Sequence, residues 1–152
     1  YQGMKIAMFD VTDPTNPIEM WKEEIGDRGT ESELLNNHKA LLFSKEKNLL
    51  AFPIKVAEVK DKNAKAWTYG DTTFVGAYVY ELTLENGFQL KAKLTNLDEN
   101  DWKRLGNYYY GDKSIDRLIY IGNNLYTVAN SGYSAYDMND GYKKVGELKL
   151  EK

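Results

Sequence analysis

A single histidine, His38, bounds the acid–base chemistry open to this 152-residue chain. Any Ser-His-Asp or Cys-His arrangement would have to pass through it, yet the chain has no Gly-x-Ser-x-Gly elbow and no cysteine. Without a second histidine or a thiolate, the usual zinc ligand sets cannot be assembled. His38 therefore has two readings. It opens an inner strand, partly buried and bonded to nearby backbone, or it stands at a channel mouth as a ligand or catalytic group. The first is the expectation adopted.

Other clusters offer possible chemistry. In Gly26-Asp27-Arg28-Gly29, Arg28 has the planar fork that grips a carboxylate bidentately. Asp27 and Arg28 equally suit pinning a sheet-to-sheet crossing by hydrogen bonds, and this structural role is preferred. Asp98-Glu99-Asn100-Asp101 concentrates the oxygen ligands that calcium takes. It lacks the central glycine and terminal glutamate of an EF-hand loop, so a solvated loop without metal is expected. Tyr108-Tyr109-Tyr110, with Trp102 nearby, is either an amphipathic platform for sugars or peptides or a packed insertion. Trp67-Thr68-Tyr69 poses the same choice. No cofactor is expected.

The elements that would position these residues are announced by an echo. Phe9-Asp10-Val11, Tyr80-Glu81-Leu82 and Tyr136-Asp137-Met138 share one pattern, and each precedes a turn and a second alternating run. Two further strand-like runs lie between copies, so each period holds about four short strands, the signature of stacked propeller blades. Recurrence gives the three acids a structural task, hydrogen-bonding turn backbone in equivalent places, and no ion. The expected fold is all-β, a partial β-propeller of about two and a half four-stranded antiparallel blades. Residues 1–25 form an outer half-blade, 38–96 a blade and 114–150 the last blade, within a single propeller region spanning 1–152. In the complete middle blade, the strands 38–43, 49–54, 72–82 and 87–94 are expected in that sheet order. Short helix is expected only within 26–37, with Thr30 as N-cap and Glu33 completing a capping box, and within 96–113.

Composition narrows the partners. Twenty basic and 23 acidic residues, well mixed, leave a net charge of −3, with no basic stripe for nucleic acid. No apolar run reaches the roughly 20 residues that span a bilayer. Twelve Tyr and three Trp against three Pro favour sheet. The chain opens on Tyr1-Gln2-Gly3 and runs straight into a strand, which reads as the C-terminal piece of a larger propeller. Its partners would then be the remaining blades, or further copies of itself, because an uncovered sheet face and an unpaired strand edge both invite association.

Several stretches resemble a family of secreted bacterial and archaeal proteins with a C-terminal β-propeller domain, distantly related to WD40 propellers. They are Gly3-Met4-Lys5-Ile6 with Phe9-Asp10-Val11-Thr12-Asp13-Pro14-Thr15-Asn16-Pro17, then Gly26-Asp27-Arg28-Gly29-Thr30 with Ser32-Glu33, and His38-Lys39-Ala40 with Leu42-Phe43. The resemblance covers nearly all of the chain except 55–71 and 96–113. It implies a propeller fold and an extracellular or cell-surface location, and it carries no established reaction. The function expected is a non-catalytic exported module that binds protein or cell-surface polymer, carbohydrate included, through its loops. The alternative is a hydrolase or metal-dependent enzyme with His38 and Asp27 contributing to a site completed by further blades.

Overall fold

The computed structural model of the chain describes residues 2–61, 63–104 and 111–150. Among these residues ten strands form three antiparallel sheets. The first is a hairpin of β1 (Met4–Asp10) and β2 (Ile18–Ile25). The second holds β3 (Leu42–Ser44), β4 (Leu49–Glu58), β5 (Asp71–Thr83) and β6 (Gly87–Leu94), ordered as in the sequence. The third holds β7 (Ile115–Ile121), β8 (Asn124–Ala129), β9 (Gly132–Asp137) and β10 (Lys143–Lys149). One short helix, α1 (Glu99–Arg104), lies between the second and third sheets. The expected all-β fold, sheet order and antiparallel pairing are all present.

The second sheet is covered on both faces. Leu50, Phe52, Ile54, Tyr78 and Tyr80 point toward the first hairpin, where Met4 and Ile25 meet them. Leu49, Ala51, Ala77 and Val79 point the other way, against Leu118, Leu125 and Tyr136 of the third sheet. Because side chains alternate across a strand, two-sided burial requires apolar residues in succession. The runs Leu49-Leu50-Ala51-Phe52 and Ala77-Tyr78-Val79-Tyr80 supply them, and each of these residues is buried. At the outer edge Trp21 donates from Nε1 to the carbonyl of Leu84 at 2.9 Å. Its ring lies on Gly87, where φ is +64° and a Cβ would come within 2.6 Å of the indole.

The same bulge occurs in all three sheets. Phe9, Tyr80 and Tyr136 each sit at a register shift, opposite one extra residue on the outer strand: Met20, Lys91 and Val145 respectively. The aromatic residue of the echo thus marks the place where the outer strand gains a residue and twists. The acids of the echo fall at matching register too. Glu81 pairs with Leu49, and Asp137 pairs with Asn124. The next residues, Leu82 and Met138, donate to the carbonyls of Asn48 and Asn123.

Two local expectations are corrected. The inner strand begins at Leu42 and not at His38, because residues 38–40 form a 3₁₀ turn capped by Asn37, whose side chain accepts from the Lys39 amide. His38 is accordingly exposed. The cap of the preceding 3₁₀ turn, Glu33–Leu35, is Ser32 and not Thr30. Thr30 is buried against β4, where its hydroxyl accepts from the Ala57 amide at 3.0 Å and donates to the Ala57 carbonyl.

Tyr80 is almost wholly buried between the first and second sheets, and its hydroxyl has no hydrogen-bond partner among the described residues. A buried unsatisfied hydroxyl costs about 1–3 kcal/mol. Tyr80→Phe is therefore expected to raise the urea unfolding midpoint, by roughly 1 kcal/mol in free energy. A lowered midpoint would mean that the hydroxyl is satisfied in solution.

Candidate functional site

The antiparallel order sends every long connection to one end of the sheets. The crossing from β2 to β3, the β4–β5 loop and the β6–β7 connection all lie there. The β3–β4, β5–β6, β7–β8 and β9–β10 turns lie at the other end and are short. Asp27, Arg28 and Trp102 lie at the wide-loop end, whereas His38 lies further along the crossing, on the 3₁₀ turn that leads into β3; Tyr108, Tyr109 and Tyr110 lie outside the described residues.

Asp27 and Arg28 lie on the first crossing. The carboxylate of Asp27 accepts from the Val59 amide at 2.8 Å, and its own amide donates to the Ala57 carbonyl at 2.7 Å. Arg28 fixes the β4–β5 loop twice: its carbonyl accepts from the Gly70 amide at 2.8 Å, and its guanidinium lies 4.7 Å from the ring centroid of Tyr69. Beside it Trp67 is 65% exposed and Tyr69 63%, with the Lys65 ammonium 5.2 Å from the Trp67 ring centroid. Neither Arg28 nor Lys65 has a carboxylate partner among the described residues. Cations over aromatic faces are stabilised by the ring quadrupole, so Arg28 holds the Tyr69 ring against the crossing while both rings remain open to solvent.

Trp102 is placed differently. It projects from α1 and is half-buried against Phe74, at 6.4 Å between centroids. Asp98 and Asp101 close a reciprocal cap at the start of α1. Asp98 accepts from the amides of Asn100 and Asp101, and Asp101 accepts from the Asp98 amide. Lys113 then bridges both carboxylates, 2.8 Å from Asp98. These oxygens hold backbone and an ammonium, and among the described residues no group of acids or histidines is arranged for a metal.

A groove of about 390 Å³ opens at this end between the second and third sheets. Glu31, Glu33 and Asp116 border it, and Lys55 reaches Glu31 at 2.8 Å. Asp116 is itself exposed, and desolvation at the groove wall, and secondly Glu33, raise its carboxyl from the ordinary value. His38 and Asp27 are not among the groove residues. The signal for Asp116 was absent from the sequence, since an acid beginning a strand has no motif of its own.

Three stacked antiparallel sheets built on one repeated pattern are the architecture of propeller blades. The family model described as beta propeller domain matches residues 1–141. The chain belongs to the β-propeller domain family. No curated protein and no solved structure matches it. In this propeller the echo acids serve turns or pairs. Asp10 accepts from the Thr12 amide and Asp137 from that of Asn139, while Glu81 pairs with Lys91 at 2.7 Å. Among the described residues no helix is long and apolar enough to cross a membrane.

The Lys113 ammonium, through its hydrogen bond, is the largest influence lowering the Asp98 carboxyl to about 2. A depressed carboxyl stabilises the fold above its unfolded value near ~4, and the contribution is lost as pH falls through the folded value. Lys113→Gln should move the Asp98 side-chain carbon titration, followed by NMR, back toward the ordinary range. An unchanged midpoint would show that the helix cap alone lowers it.

Proposed function

We propose that this propeller is an exported, non-catalytic module that binds a protein or a cell-surface polymer through its wide-loop end. One observation carries the reading: two adjacent rings, Trp67 and Tyr69, are exposed on a loop that is tied to the sheet crossing by Arg28. Exposed aromatic rings cost solvation unless a partner covers them, and tyrosine and tryptophan suit interfaces that are part apolar and part wet. Holding Tyr69 in place beforehand lowers the ordering cost of binding. Export, and a location outside the cell or on its surface, rest on the family resemblance, which covers nearly all of the chain except 55–71 and 96–113.

The partners proposed for the sheets themselves are further blades or further copies of this chain. Phe9 occupies the position of Tyr80 and Tyr136, both buried, yet it is 49% exposed, on the face that its counterparts turn toward the preceding sheet. Among the described residues β1 also has an unpaired edge, a template for another strand. Sedimentation of the isolated chain is expected to show concentration-dependent association. A compact monomer at every concentration would mean that these surfaces need no partner.

Binding is tested with the fluorescently labelled chain on intact bacterial cells, before and after protease treatment. Retention is expected, with a loss of about tenfold in affinity for Trp67→Ala/Tyr69→Ala, as for two interface aromatics. Protease-resistant retention identifies a polymer and protease-sensitive retention a protein. Equal retention of the double variant removes the proposal. The hydrolase alternative has one arrangement in its favour, two carboxyl groups, Glu33 and Asp116, bordering the same groove. Release of soluble fragments from the cells, abolished by Asp116→Asn, would select it.

A further inference from the structure

The narrow-turn end carries a second cleft, of about 440 Å³, between the second and third sheets. Its lining departs from the structural repeat in a way that packing does not require. In the first and third sheets the echo acid accepts from an amide two residues on, as Asp10 does from Thr12 and Asp137 from Asn139. Glu81 makes no such bond and reaches Lys91 at 2.7 Å instead. Lys91 is itself the bulge residue, and its counterparts are Met20 and Val145. The second sheet has thus exchanged a turn-capping acid and an apolar bulge for an ion pair, and both partners line this cleft.

Two more residues are held there by unusual backbone. Asn48 at φ +50° and Tyr142 at +61° are the non-glycine residues with positive φ among the described residues, and both line the cleft. Asn48 is ordinary for such a position. Tyr142 is not, because it follows Gly141 at +58° in a turn closed by the Lys143 amide on the Asp140 carbonyl. Both central residues of that turn are left-handed, where glycine, asparagine and aspartate are preferred. The strained position sets the Tyr142 ring against the edge of the core.

The polar inventory completes the cleft. The carboxamides of Asn48, Asn123 and Asn139 receive and give no hydrogen bond among the described residues. Lys47 lies 5.5 Å from the Tyr120 ring centroid and has no carboxylate partner among the described residues. Against the neutral Glu81–Lys91 pair, Lys47 leaves the lining with one net positive charge. Carboxamides both donate and accept, as hydroxyl groups of a ligand require. An aromatic ring offers an apolar face beside them.

We infer that this cleft binds a saccharide carrying a carboxylate, with Lys47 meeting the acid, the three asparagines the hydroxyls and Tyr142 one face of the ring. The site lies at the opposite end from Trp67 and Tyr69, so it stands or falls independently of the binding proposed for the wide loops.

The test is NMR titration of the ¹⁵N-labelled chain with trigalacturonic acid, and with cellotriose as the neutral counterpart. Trigalacturonic acid is expected to shift the amides of 47–49, 81 and 139–142, and cellotriose to bind far more weakly. Lys47→Met, with an unchanged thermal midpoint, should weaken trigalacturonate by roughly tenfold, the size of one lost charge-assisted contact. No shift at these amides with either sugar overturns the inference. Equal affinity for the two sugars, or undiminished binding by Lys47→Met, also overturns it.

Discussion

β4 is ten residues long and its inner neighbour β3 only three, so half of β4 would otherwise present a row of unpaired backbone groups. The crossing from the first sheet supplies the missing partners. Ser32 donates to the Pro53 carbonyl, and Glu31 and Lys55 exchange both backbone bonds. Thr30 serves both groups of Ala57 through one hydroxyl, and Asp27 takes the Val59 amide. Buried backbone polar groups must be paired or they cost about as much as a lost hydrogen bond. Pro53 fits because its side of the strand faces the crossing, where it needs to offer only a carbonyl. The segment that links two sheets is therefore also the edge strand that finishes one of them, and it carries Arg28 to the loop bearing Trp67 and Tyr69.

With that edge closed, the second sheet can be apolar on both faces. A twisted four-stranded sheet cannot bury two faces by itself, so the first and third sheets stack on it. The repeated bulge at Phe9, Tyr80 and Tyr136 keeps the outer strands in step, since one extra residue in each sheet leaves their relative twist matched. Where one sheet departs from the others, at Glu81 and Lys91, the departure is in chemistry and not in backbone. The bulge is retained and only its side chain has changed.

The two ends divide the work. Long connections gather at one end because antiparallel order sends every sheet-to-sheet crossing there. The other end has tight turns, whose left-handed positions are filled by Gly87, Gly122 and Gly141, with Asn48 and Tyr142 beside them. Scaffold rigidity at the narrow end and loop length at the wide end follow from the same topology.

What was legible in the sequence were the properties that depend on local order. The alternating runs and the threefold echo determined the strands, their antiparallel pairing, the sheet order and the propeller family. The turn-bonding duty of Asp10 and Asp137 was legible as well, because recurrence reports on a repeated environment, but Glu81, expected to share that duty, pairs with Lys91 instead. Tertiary structure decided the rest. Thr30 has the residue type of a helix cap, but β4 claims its hydroxyl, because backbone bonds between distant segments leave no mark on composition. Asn37 turns the chain before it enters the sheet, which leaves His38 exposed. Trp102 and Trp67 look equivalent as letters, yet one packs on Phe74 and the other stands in solvent, since only the fold says which loop has a sheet edge to lean on. The bulges were hidden for the same physical reason: an extra residue breaks the period of two on one strand, and only the partner strand shows that it is extra.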